Sequence, residues 1–294
     1  MAASCLPANR ASDLRETESN PALSGETRYN KAKVLQGQGV DEPLSEFGFK
    51  QAKAAGQALS KVRFSHVFSS DLQRAKQTAS AIVLGNSCGQ KLEIICDARL
   101  RERKYGIVEG KPLSELRALA KAAGQKCPNF TPPGAETVDD VQARAKDFFN
   151  YLCQLLMTHT GKGNSVPDYV NTVAEHSGDL HRSLEGLHSV DSNTCDINDS
   201  NSDIAEDLIA NILIVSHGGL MLQWVRHFVE NLKCPLPPSI DQSKAFSVCP
   251  NAGISSFVIT FDQVASSSPQ IVCDYLYKCS HLDTIGVQQD VFSV

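Results

Sequence analysis

Ile209-Ala210-Asn211-Ile212-Leu213-Ile214-Val215 is an apolar run broken only by Asn211, and it stops abruptly at Ser216-His217-Gly218-Gly219. Apolar side chains at consecutive positions fit a strand buried on both faces, as in a parallel sheet covered by helices. The two glycines permit a tight turn and let the backbone approach a ligand closely. An amphipathic helical pattern follows, from Leu220 to Leu232. A histidine at this junction stands at the carboxyl end of a strand and beside a helix N-terminus, where open α/β sheets hold anionic ligands. A lone His-Gly pair is equally compatible with a simple turn cap, so the rest of the chain has to decide.

The chain has 294 residues, enough for one large α/β domain or two small ones. Its hydrophobic content of 41% and charged content of 21% are those of a soluble globular protein. A net charge of −5 argues against a general nucleic-acid binder. The ten cysteines form no Cys-x-x-Cys pair and follow no apolar leader, so they read as reduced thiols of an intracellular protein. No run is long enough for a membrane span. The acidic residues of the first 24 positions fit a mitochondrial presequence poorly. The cytosol is therefore the expected location, with nuclear or mitochondrial association as alternatives, and the expected state is a monomer.

Elsewhere, strands alternate with helices. A helix is predicted from about Ser45, with Phe49, Ala52, Ala55, Leu59 and Val62 on one face. Phe64 to Ser69 reads as a short strand, with Ser70-Asp71 capping the helix that carries Arg74 and Thr78. Leu92 to Cys96 is a further strand, leading into the charged cluster Arg99 to Lys104. Helical patterns cover Leu113 to Ala123 and Thr137 to Met157, and the second opens with a capping-box spacing. Ser255 to Phe261 and Ile271 to Tyr277 alternate around a Ser-rich turn, as an antiparallel pair at the sheet edge would. The fold class is α/β with a mostly parallel central sheet. Residues 158–207 lack periodicity and read as a flexible polar insert; their four histidines have no fixed metal-ligand spacing.

Four separated places carry groups suited to a phosphate ester: the loop Gly25 to Asn30, Arg74, the cluster Arg101-Glu102-Arg103, and His217. Guanidinium groups match phosphate oxygens, helix N-termini offer free backbone donors, and a carboxylic acid among them can protonate a leaving alcohol. In this order, Ser69-Ser70-Asp71-Leu72-x-Arg74-x-x-x-Thr78, Leu100-Arg101-Glu102, Pro133-Gly134-x-Glu136-Thr137 and Val215-Ser216-His217-Gly218 resemble the histidine phosphatase (phosphoglycerate mutase-like) superfamily. Gln36-Gly37-Gln38-Gly39-Val40-Asp41-Glu42-Pro43-Leu44-Ser45 and Arg101-Glu102-Arg103-Lys104-Tyr105-Gly106 bring it closer still to the TIGAR branch of fructose-2,6-bisphosphatases.

The resemblance implies a three-layer phosphoglycerate mutase-like fold over residues 23–294. It also implies a phosphatase acting through a phosphohistidine, with a sugar bisphosphate as the phosphorylated substrate and no metal or other cofactor. Under it, His217 stabilises the transferring phosphoryl group and Glu102 is the proton donor and acceptor. Arg74, Asn30, Gly37, Arg101 and Gly218 then bind the substrate.

At one point the chain departs from this pattern. The family opens with an apolar strand running into Arg-His-Gly-Glu-Thr, whose histidine is the nucleophile; here the residues are Leu23-Ser24-Gly25-Glu26-Thr27. Neither His66 nor His176 stands in a matching place. The charged residues upstream and Pro21 argue against a central strand, so residues 1–22 are expected to be an unrelated disordered segment. The first central strand is then expected to be missing, leaving unpaired ladders and a marginal, aggregation-prone protein. With Ser24 at the nucleophile position, weak or absent activity follows. The alternative is a non-catalytic phosphoester-binding or interaction protein; His217 acting as nucleophile, or a mutase reaction, ranks lower.

Overall fold

The computed structural model describes residues 14–88, 92–127, 129–158, 208–262 and 268–286. Six strands form one sheet: β1 (Leu14–Leu23), β2 (His66–Ser69), β3 (Ile94–Cys96), β4 (Leu208–Ser216), β5 (Ile254–Asp262) and β6 (Gln270–Lys278), in the order β3-β2-β4-β1-β5-β6. Pairs β2/β3, β2/β4 and β1/β4 are parallel, while β1/β5 and β5/β6 are antiparallel. Helices α1 (Arg28–Lys31), α2 (Glu46–Ala58), α3 (Gln73–Leu84), α4 (Leu113–Ala122), α5 (Val138–Thr158), α6 (Gly218–Arg226) and α7 (Gln242–Ala245) complete the described elements, apart from short 3-10 and π turns. The predicted helix over Leu220 to Leu232 ends as α6 at Arg226 and continues as a π turn over His227–Asn231.

The apolar run of β4 is two-sided. Ile212 and Ile214 pack with Phe148, Leu152, Leu220 and Trp224 of α5 and α6, while Leu213 and Val215 pack with Ala55, Ala75, Ala79 and Ile82 of α2 and α3. Successive side chains of a strand point to opposite faces, so an unbroken apolar run is what a central strand between two helical layers requires. The result is the mostly parallel three-layer α/β architecture. The insert expected at 158–207 lies, from residue 159, outside the described residues, as do residues 1–13.

One expectation is overturned: the first central strand is present. Residues 14–22, expected to be disordered, form β1 together with Leu23 and pair with β4 on one side and β5 on the other. Both neighbouring ladders are therefore occupied. Pro21 fits for a local reason. Leu23 N donates toward β5, to Gly253 O, and Ser24 N toward β4, to Ser216 O. Backbone donors alternate sides along a strand, so the N–H that Pro21 lacks falls on the β5 side. There the register is kept but no pair is formed between Ser19↔Phe257 and Ala22↔Ile254.

The polar side chains find distant partners. Glu18 accepts from Asn211 Nδ2 at 3.0 Å and from Ser256 Oγ at 3.3 Å, and Asn20 Nδ2 donates to Asn211 Oδ1 at 2.8 Å. The satisfaction is incomplete, because Thr17 Oγ1 and Asn20 Oδ1 are buried without a hydrogen-bond partner. A buried unsatisfied polar atom costs about 1–3 kcal/mol. Thr17→Val keeps the β-branched shape and removes one such atom. It should stabilise the protein by about 1 kcal/mol, seen as a rise of roughly 2–4 °C in thermal midpoint. An unchanged or lower midpoint would show that the Thr17 hydroxyl is satisfied in solution.

Candidate active site

The site gathers where β1, β2 and β4 end. Ser216 Oγ donates to Leu100 O at 2.8 Å, fixing the strand end, and His217 then takes the N-cap position of α6 in extended conformation. His217 is 2% exposed, and its Nε2 lies 2.8 Å from Ser70 Oγ at the end of β2. Burial, and after it the positive charges of Arg74 and Arg144, hold its pKa well below the ordinary value of 6.5. The imidazole is neutral at pH 7.

Glu102 follows the 3-10 turn Ala98–Leu100. Its Oε1 accepts from Arg103 N at 2.7 Å and from Gly219 N at 2.9 Å. Burial raises its pKa, opposed by these two donors and by Arg74. With Oε1 occupied by backbone donors, Oε2 is the oxygen suited to carry a proton. A Cβ at residue 219 would meet Glu102 Oε1, so a larger residue there would have to displace that carboxylate oxygen from the Gly219 N–H.

Arg74, 3% exposed on α3, donates from Nη2 to Gly37 O at 3.0 Å and from Nη1 to Val40 O at 3.4 Å. Two carbonyls position the guanidinium without neutralising it. Asn30 Oδ1 accepts from Thr27 N and Thr27 Oγ1, both at 2.9 Å, which shapes the turn after β1.

Parallel pairing places Leu23 beside Ser216, so Ser24 and His217 are the next residues on neighbouring strands. Ser24 is 6% exposed. A cavity of about 320 Å³ has Ser24, Asn30, Gly37, Arg74, Glu102, His217 and Gly218 in its wall. Its size lies within the range of small-molecule pockets. Of the expected binding residues, Arg101 is the exception. Its Nε and Nη2 donate to the two carboxylate oxygens of Asp71 at 2.7 and 2.6 Å, and it does not line the cavity. Arg103 lines the cavity instead; its Nε donates to Glu136 O and its Nη2 to Phe130 O, both at 3.0 Å.

Sequence reasoning also missed Arg144 of α5. Its Nη1 donates to Arg99 O and Arg101 O at 2.7 Å, and its Nη2 to Glu136 Oε2 at 2.9 Å and to Glu102 O at 3.3 Å. The side chain straps down the segment that carries Glu102. Among the described residues, no group of three or more His, Cys, Asp or Glu side chains is placed to hold a metal ion. Nor is any described helix long and apolar enough to cross a membrane.

The depressed pKa of His217 has a consequence for stability. As pH falls below about 6.5 the unfolded chain takes up a proton that folded His217 refuses, so stability is lost toward acid at up to about 1.4 kcal/mol per pH unit. Glu102, with its raised pKa, has the opposite sign: stability is gained as the pH falls through its folded value. Comparing the parent with His217→Asn isolates the histidine. The parent's stability relative to the variant should fall by about 1 kcal/mol between pH 7.5 and pH 5.5 in urea titrations. A constant difference would place the His217 pKa near its ordinary value.

Residues 24–162 match the family model described as histidine phosphatase superfamily (branch 1). The chain is 49% identical over 271 residues to fructose-2,6-bisphosphatase TIGAR of Xenopus laevis, covering 92% of this chain and 96% of that protein. It is 47% identical over 266 residues to fructose-2,6-bisphosphatase TIGAR of Mus musculus, covering 90% and 96%. A crystal structure of phosphoglycerate mutase from Bacillus anthracis shares the fold with a TM-score of 0.61 at 20% identity, covering 93% of this chain and 98% of that one. With sequence identity at this level along almost the whole length of its relatives, the chain belongs to the histidine phosphatase superfamily (branch 1), in its TIGAR-type group.

Proposed function

We propose that this chain binds a phosphorylated sugar of the fructose 2,6-bisphosphate class and hydrolyses it only at a residual rate. The observation that carries this reading is Ser24, next to His217 in register and in the wall of the same cavity. The resemblance to the family puts the nucleophilic histidine at this place. Of the described histidines, His217 alone lines the cavity.

The parts that bind and stabilise a phosphoryl group are retained. Arg74 supplies an un-neutralised guanidinium, and the N-terminus of α6 presents backbone donors. Neutral His217 supports the transferring group. Glu102, whose pKa burial raises, is the carboxyl group in the cavity wall suited to protonate the leaving sugar oxygen. What is lost is the attacking atom. A serine hydroxyl needs an adjacent base to become a nucleophile, and the hydrogen bond of His217 Nε2 goes to Ser70.

The test pairs binding with turnover. The purified chain should gain thermal stability with millimolar fructose 2,6-bisphosphate, while phosphate release stays near the uncatalysed background. No thermal shift removes the binding reading. Sustained turnover equal to that of a Ser24→His variant removes the claim of lost chemistry.

A further inference from the structure

Helix α6 carries a charge that the chemistry above does not use. Gly219, Leu222, Gln223 and Arg226 follow one another at steps of three, one and three residues, which places them on one face of the helix. All four line the cavity. At 1.5 Å per residue, Arg226 stands about 13 Å along the helix from His217. Phe246, which lies against Arg226, and its neighbour Ser247 line the cavity as well.

Arg226 is held but not neutralised. Its guanidinium carbon lies 5.1 Å from the centroid of the Phe246 ring. Its Nε is buried without a hydrogen-bond partner, and among the described residues no carboxylate forms an ion pair with it. By contrast Arg99, Arg101 and Arg144 are closed by Asp97, Asp71 and Glu136. A cation at the end of α6 also complements the helix dipole, but that role requires neither a cavity-lining position nor a buried Nε.

We propose that Arg226, stacked on Phe246, anchors a second anionic group of the ligand: the phosphate of a bisphosphorylated sugar that lies farthest from His217. The inference rests on the reading of the cavity as a phosphoester site. Gln223, Ser247 and Asn251 line the same cavity and offer hydrogen-bonding groups to that phosphate or to the sugar hydroxyls. A monophosphate held at Arg74 leaves the Arg226 charge uncompensated, so the cavity discriminates in favour of two phosphates.

Isothermal titration of the full chain with fructose 2,6-bisphosphate and with inorganic phosphate tests this. Arg226→Met should weaken bisphosphate binding about 10- to 100-fold, the loss expected for a charge-assisted hydrogen-bonded pair. Inorganic phosphate, held at Arg74, should change by less than about 2-fold. Arg226→Lys should recover part of the affinity, since it keeps the charge and loses the planar fork. If Arg226→Met melts below the parent without ligand, Arg226→Gln decides in its place. Unchanged bisphosphate affinity in these variants overturns the proposal while leaving the phosphoester reading intact. A parent chain that binds neither ligand overturns both.

Discussion

Ser24→His is expected to raise phosphate release from fructose 2,6-bisphosphate at least ~1000-fold over the parent chain, because a catalytic unit missing one member loses activity on that scale. The backbone at this position is already set. Ser24 N donates to Ser216 O at 3.0 Å, and Ser24 O accepts from Ala252 N at 3.2 Å. An imidazole on this frame enters the cavity beside His217, Arg74 and Glu102. A ring nitrogen then attacks phosphorus as the bond to the sugar oxygen breaks, and Glu102 gives that oxygen its proton. Water next cleaves the phosphorus–nitrogen bond, with the Glu102 carboxylate taking the proton. Two readouts go beyond rate: a phosphoenzyme lost in acid and stable in alkali, and a Ser24→Ala variant that keeps the parent's rate within about 2-fold. If Ser24→Ala instead removes most of the parent's activity, serine is itself the nucleophile and the reading of this position fails.

The contrast between β4 and β1 shows what could be read from the sequence and why. β4 is encoded locally: seven consecutive positions are apolar with one exception, and both faces they form are buried. The strand end then places His217, and the spacing from Ser69 to Arg74 places the arginine within the first turn of α3. β1 has no such local signal. Glu18 and Asn20 are tolerated through Asn211, nearly two hundred residues away, and Pro21 is tolerated because the ladder beside it is interrupted. Partners that distant leave no periodicity near the strand. The Arg101 and Arg103 exchange has a similar cause. The two flank Glu102, two positions apart, and the chain direction after the 3-10 turn sends one toward Asp71 and the other into the cavity. Arg144 reads as part of a solvated helix face, because nothing in α5 indicates that the carbonyls of residues 99, 101 and 102 stand opposite.

Arg74→Met should weaken fructose 2,6-bisphosphate binding by about 100-fold or more, whereas Arg101→Met should change it by less than about 2-fold. The two guanidiniums differ in what already satisfies them. Both donors of the Arg101 fork are taken by the Asp71 carboxylate, and its side chain is 38% exposed, so its charge is largely cancelled and screened. Arg74 is buried and, among the described residues, its guanidinium is hydrogen-bonded only to the carbonyls of Gly37 and Val40. Desolvation pulls its pKa down, partly offset by Glu102, Asp41 and Glu109. A phosphate entering the cavity supplies the negative charge that the carbonyls cannot. Because Arg74 also tethers the Gly37 loop, lost affinity alone does not separate charge from scaffold. Arg74→Lys separates them: it keeps the charge but cannot hold two carbonyls and a phosphate at once, and should fall between the parent and Arg74→Met. Equal losses in the lysine and methionine variants would mean that the tether, not the charge, sets affinity. Equal losses in Arg74→Met and Arg101→Met would return Arg101 to the binding site.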